Sequence, residues 1–259
     1  MRTTSKTISI LTLFMFVFAG VYAQEYTISA GQANKLVITD LLGELLIEGG
    51  SGSAIVINIT GVEKPSERAD GLKPINSYGV EDNTGLGIAV EEKDGVIELL
   101  RASKRLNDAN IKILVPSNLA IQVAYNSVHS DDIFVKNVSN ELKVVSEHAD
   151  LSFENISGPC KIYSTHGEIN VVFSEINQNS PISVVSPHGD IDVTFPSNAA
   201  ANIELYAGCG EIFSNLDLEY KKNKEGLTSY SNHIKATLGG GGVDIKIKSD
   251  HADIFLRQK

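Results

Sequence analysis

The chain has 259 residues, 22 Lys and Arg against 32 Asp and Glu, a formal charge of −10, 42% apolar residues, two cysteines and no tryptophan. This length suits one fair-sized domain, and the acidic balance opposes the basic footprint that nucleic acid or an anionic membrane surface requires. The apolar content also excludes wholesale disorder.

Residues 1–23 read as a cleavable secretory signal. Arg2 and Lys6 precede an apolar run from Ile8 to Val21, and Val21-Tyr22-Ala23 ends on a small residue before Gln24. The apolar run is shorter than the roughly 20 residues of a spanning helix, and no cysteine stands near the cleavage point to take lipid. Cleavage removes Arg2 and Lys6 and no acid, taking the charge from −10 to −12. Residues 24–259 then form a single β-repeat domain with no transmembrane segment, destined for the periplasm or cell surface. An outer-membrane barrel would need strands of about 9–11 residues with aromatic girdles, whereas the strand units here are about half that length.

Along that domain a twelve-residue pattern recurs. Copies start at Leu142, Cys160, Ile182, Ile203 and Ile245, with weaker ones at Leu36 and at Ile121, where one extra residue precedes Asp132-Ile133. Apolar residues at positions one and three, with Ser, Ala or Tyr at five, alternate with the two-residue period of a strand that has one buried face. The phase then flips, and apolar residues resume at positions ten and twelve, which requires a bend around the Gly or Ala at position eight. Glycine accepts a positive φ at such a bend. On that reading, valine at Gly167, Gly189 or Gly210 costs roughly 1–3 kcal/mol, and alanine less. The unit is strand, corner, strand.

A coarser duplication sets Leu114-Val-Pro116-Ser-Asn beside Thr194-Phe-Pro196-Ser-Asn, each proline ending a strand at a turn. Helical periodicity is poor throughout. Copies 18 to 22 residues apart in the same register favour stacked rungs over the hairpins of a sandwich. The fold expected is all-β, a β-solenoid of strand-corner-strand repeats with excursions at Val62–Gly87 and Tyr220–Asn232.

The runs Ala69-Asp-Gly-Leu-Lys-Pro74 and Asp82-Asn-Thr-Gly-Leu-Gly87, then Val115-Pro116 and the repeated Gly-Asp/Glu-Ile corners, resemble the uncharacterised putative-adhesin family with β-strand repeats from Bacteroidota. The resemblance spans nearly all of residues 30–259. It implies an exported β-solenoid and carries over no catalytic residues. Corners of that family often place Ser, Asn or Tyr before the glycine, so the histidines here depart from it.

Four of the six histidines, His148, His166, His188 and His251, fall at position seven, where Cys209 takes their place in its own copy. With rungs about 4.8 Å apart, His166, His188 and Cys209 would line one edge and could share a soft divalent ion such as zinc. The alternatives are a purely structural ladder of stacked rings and a pH-sensitive surface. Asp150, Glu168, Asp190, Glu211 and Asp253 form an acidic column that superficially fits a glycan-cleaving enzyme, yet a repeat generates such a column for structural reasons. Asp131-Asp132, Glu81-Asp82 and Asp190-Ile-Asp192 lack the ligand spacing of calcium loops. Ser164, Ser186 and Ser249 each precede a histidine by two residues, which on a strand sets both on one face without an orienting third group; backbone bonding at the corner is the expected role. Gly239–Gly242 has no Lys-Ser/Thr of a phosphate loop.

These readings converge on an exported, non-enzymatic structural or adhesin-like binding protein of the cell envelope, without a cofactor, whose partner is an envelope protein or a glycan. The competing readings are a polysaccharide-binding or polysaccharide-cleaving β-helix and a metal-binding envelope protein using the His/Cys column. The two cysteines are expected to remain unpaired, since Cys160 opens its repeat while Cys209 sits on a corner two rungs away.

Overall fold

A computed structural model describes residues 24–62, 66–72, 75–77, 79–220 and 232–259. The signal expected at residues 1–23 and most of the second excursion, residues 221–231, lie outside the described residues.

The chain opens with β1 (Gln24–Ser29), β2 (Lys35–Thr39), β3 (Glu44–Gly50) and β4 (Ala54–Thr60). The first excursion follows, and then β5 (Ile88–Lys93), β6 (Val96–Arg101) and β7 (Asn110–Pro116). The clearest repeats supply β8 (Ala120–Tyr125), β9 (Ile133–Lys136), β10 (Leu142–Ser146), β11 (Leu151–Ile156), β12 (Cys160–Ser164), β13 (Ile169–Phe173), β14 (Ile182–Val185) and β15 (Ile191–Phe195). Last come β16 (Ala201–Ala207), β17 (Ile212–Ser214), β18 (Leu218–Tyr220), β19 (Asn232–Leu238), β20 (Val243–Ser249) and β21 (Ile254–Gln258). The helical segments among the described residues are two single 3-10 turns, Glu67–Ala69 and Lys104–Leu106.

Two sheets face one another across one core. The first runs β1-β4-β7-β3-β9-β11-β13-β15-β21-β17, and the second runs β18-β19-β16-β20-β14-β12-β10-β8-β2-β6-β5. One strand of each sheet, joined by a corner, makes a rung, and rungs stack in parallel with repeat position facing repeat position: Leu142 sits between Ile121 and Cys160, and Ile169 between Leu151 and Ile191. The expected solenoid is therefore the fold.

Alternation decides what is buried. In β10, Leu142 and Val144 are inaccessible while Lys143 between them is exposed; across the corner, Leu151 and Phe153 of β11 turn inward with Ser152 between them. Burying every second side chain from both sheets is the main stabilising term, at about 1.5–3 kcal/mol per large apolar residue. The duplicated proline turns are also present, with Leu119 donating its N–H to the Pro116 carbonyl and Ala199 to that of Pro196.

Sequence order and stacking order part company at both ends. The β6/β7 rung lies outside β2/β3, and β20/β21 is inserted between β14/β15 and β16/β17, although it follows both in the chain. The stack is then closed by antiparallel strands, β4 and β1 on β7, β5 on β6, and β19 and β18 on β16. Such pairing covers edges that a solenoid otherwise leaves open.

Candidate functional site: the histidine-bearing corner

The corner is organised by its buried serine. Ser146, Ser164, Ser186 and Ser249 are at most 1% exposed. Each accepts the N–H of the residue three further on, Ala149, Gly167, Gly189 or Ala252, at 2.9–3.0 Å. Ser164 also donates to the Ala149 carbonyl at 3.1 Å and Ser186 to that of Gly167 at 2.9 Å, tying each corner to the one before. The backbone role expected for these serines is thus observed. They do not share a face with the histidines: serine points inward, and the ring two residues later stands in solvent. That corrects the strand-based expectation, because the chain is already turning at position six.

The reason for glycine also differs from the expected one. Gly167, Gly189 and Gly210 are absent from the positive-φ residues. A Cβ at these positions would instead drive into the carbonyl oxygen of Ala149, Gly167 and Ala252 respectively, on the neighbouring rung. Alanine therefore already forces the neighbouring rung to shift there. The rung that does carry Ala252 hangs differently, with the N–H groups of Asp250 and His251 both directed at the Pro187 carbonyl.

The aspartates of the acidic column are spent on the backbone. Asp150 Oδ1 accepts the Glu168 N–H at 2.8 Å, Asp190 Oδ1 that of Asp253 at 2.9 Å, and Asp253 Oδ1 that of Glu211 at 2.8 Å. Asp192 is held at the same sheet edge by Arg257, with Nε 2.8 and 2.9 Å from its two oxygens. Asp82 behaves likewise in the first excursion, accepting N–H groups from Thr84, Gly85 and Gly87. Beside Asp131, burial first and then the charges of Asp108 and Asp132 hold its carboxyl above the usual carboxylate range.

The histidines form a column on the outside of the corner. Ring centroids are 4.6 Å apart for His148 and His166, tilted by 32°, and 4.8 Å apart both for His166 and His188 and for His188 and His251, with interplanar angles of 12° and 3°. Cys209 is not the neighbour of His188. The inserted rung places His251 between them, and Cys209 caps the column with its N–H bonded to the Asp250 carbonyl. Cys160 and Cys209 are free, the first buried and the second exposed, and the insertion separates them by three rungs where chain order suggested two. Burial pushes the Cys160 thiol up to about 12. His233 lies on β19, 2.9 Å from Glu204, and holds that carboxyl below its ordinary value, helped by Lys235. Among the described residues, no group of three or more His, Cys, Asp or Glu side chains converges as a metal-binding set.

Both sheets carry ion pairs on their outer faces, Lys112–Glu48, Lys136–Glu154 and Arg257–Asp192 on the β1-to-β17 sheet and Lys235–Glu204 and Lys248–Asp250 on the other. On the second sheet Lys143 lies directly opposite Lys161, both exposed and neither ion-paired among the described residues. The row continues through Ser183 to Lys246, at an open groove of about 570 Å³ lined by Asn202, Glu204, Lys235 and Asp244. Chain alternation predicts exposure of these lysines, and their shared second position in consecutive copies sets Lys143 opposite Lys161.

Residues 87–257 match the family described as Toastrack DUF4097. Among solved structures, the chain is similar to a putative cell adhesion protein from Clostridium sporogenes ATCC 15579, at TM-score 0.47 and 15% identity over 92% of this chain and 99% of that one. It is also similar to a putative adhesin from Bacteroides fragilis NCTC 9343, at TM-score 0.46 and 13% identity over 92% and 98%. Among curated proteins none matches.

Proposed function

We propose that this chain, which belongs to the Toastrack DUF4097 family, is an exported, non-catalytic binding protein of the cell envelope. One observation carries the reading: at the corners the serines are buried in backbone bonds and the aspartates accept N–H groups from the next rung. General acid-base cleavage of a glycan needs two carboxylates facing substrate, whereas Asp150, Asp190 and Asp253 are turned to backbone N–H groups, leaving only Glu168 and Glu211 of that column outward. What remains for a partner is broad flat surface. The unpaired Lys143 and Lys161 make the β18-to-β5 sheet the better face, since like charges directly opposite one another are destabilising in isolation and an acidic partner offsets them. Among the described residues no helix is long and apolar enough to cross a membrane.

The test is a solid-phase binding assay against cell-envelope proteins and acidic polysaccharides, comparing the natural protein with the Lys143→Glu/Lys161→Glu double variant. Binding that the variant loses supports the reading. Release of reducing sugar that disappears in Asp190→Asn or Glu168→Gln overturns it in favour of an enzyme. Export is checked separately by the N-terminal mass of the protein recovered outside the cytoplasm, expected to begin at Gln24.

A further inference from the structure

We infer that the histidine column is a chelating array for divalent transition-metal ions, each ion held by two imidazoles from adjacent rungs. The geometry differs from the set His166, His188 and Cys209 that chain order suggests, because His251 occupies the place next to His188. It yields four exposed rings in one line, His148, His166, His188 and His251, with neighbouring centroids 4.6–4.8 Å apart.

Three observations support chelation over mere stacking. None of the four rings has a hydrogen bond or ion pair among the described residues, so each neutral imidazole keeps a nitrogen lone pair to offer. His233, outside the column, is by contrast engaged with Glu204. The supports are rigid: the N–H groups of His166, His188 and His251 are bonded to the Glu147, Thr165 and Pro187 carbonyls of the rung beside each, so little backbone freedom remains to be lost on binding. The spacing is also within reach of what a metal needs. The rings stack almost parallel, with their in-plane lone pairs side by side; two nitrogens at about 2.0–2.1 Å from a tetrahedral ion are roughly 3.4 Å apart, and the exposed rings converge on one ion by turning about their side-chain torsions.

Since among the described residues no third ligand converges on any pair, water completes the shell. The sites are therefore of modest affinity, open to exchange, and selective by imidazole preference for zinc, nickel and above all copper(II) over magnesium or calcium. Two ions fit at once, one on His148 and His166 and one on His188 and His251.

Calorimetric titration of the untagged protein with zinc chloride tests this. The expected result is micromolar binding of up to two ions per chain. His166→Gln/His188→Gln should weaken it at least tenfold, because His148 and His251 are then left three rungs, about 14 Å, apart. His129→Gln/His233→Gln should bind as the natural protein does. All four column residues are exposed, and an unchanged circular dichroism spectrum shows that the variants fold. Imidazole proton resonances give a second reading, with zinc shifting four rings and leaving those of His129 and His233 in place. Absence of zinc binding at tens of micromolar, or undiminished binding by the first variant, overturns the inference.

Discussion

Replacing Ser186 with alanine tests the corner at its most connected point. The hydroxyl is inaccessible to solvent, accepts the Gly189 N–H at 2.9 Å and donates to the Gly167 carbonyl at 2.9 Å. Both glycines are buried, so water cannot replace the lost partner. An orphaned buried donor or acceptor costs about 1–3 kcal/mol, and with two orphans partly relieved by relaxation the expected loss is about 2–4 kcal/mol. Ser146 supplies an internal comparison, since its hydroxyl makes the first of these bonds, to Ala149, and not the second; Ser146→Ala should lose about half as much. Urea unfolding followed by far-ultraviolet circular dichroism suits a chain without tryptophan, and the shift in midpoint at unchanged slope measures the difference. A loss below about 0.5 kcal/mol for Ser186→Ala, or equal losses for the two variants, would refute the argument that Ser186 links two corners.

Gly189→Ala should destabilise by about 1–3 kcal/mol in the same assay, since even one methyl group overlaps the Gly167 carbonyl oxygen; a neutral result would show that adjacent rungs can part. Tyr125 takes the serine position in its rung, with its phenol pushed well above its ordinary range by burial and its hydroxyl facing the Leu42 backbone without a hydrogen bond of good geometry. Tyr125→Phe should therefore be neutral or stabilising by up to about 1 kcal/mol, read as a thermal midpoint that does not fall. The Lys112 hydrogen bond and charge hold Glu48 below the usual carboxylate range, so its stabilising effect is present above the ordinary carboxylate pKa and is lost as pH falls through the lowered one. Glu48→Gln should cost a few tenths of a kcal/mol at pH 7, given the pair's exposure, and the difference from the natural protein should vanish in strong acid.

The content of each rung could be read from the chain because burial repeats with a period of two and each corner residue has a local task. Leu142, Val144, Leu151 and Phe153 announced their direction, and Ser164, Ser186 and Ser249 their bonding to backbone at the corner. Order among rungs was not legible. Every copy presents the same apolar pattern, so Ile245 matches the register of Ile182 as well as that of Ile203, and it pairs with both. Cys209 was accordingly expected beside His188. The antiparallel closing strands were hidden for a related reason: alternation in Ile55, Ile57 and Ile59 states that β4 has a buried face, not which strand it adjoins. The glycines at the corner were located correctly but explained wrongly, because close approach between residues on different rungs leaves no local trace.

The inserted rung makes residues 243–258 a keystone. An ordinary solenoid can grow rung upon rung as its chain is released, each new repeat settling on a finished one. Here Ile182 meets Ile245, 63 positions further along the chain, and Ile203 meets Ile245 from the other side. The β16/β17 rung therefore has no native neighbour toward β14 until the wedge arrives. Completion is set by a late, long-range closure whose entropy must be met before its contacts form. A protein built this way stays unfinished at one end until residues 243–258 are available to fill the gap.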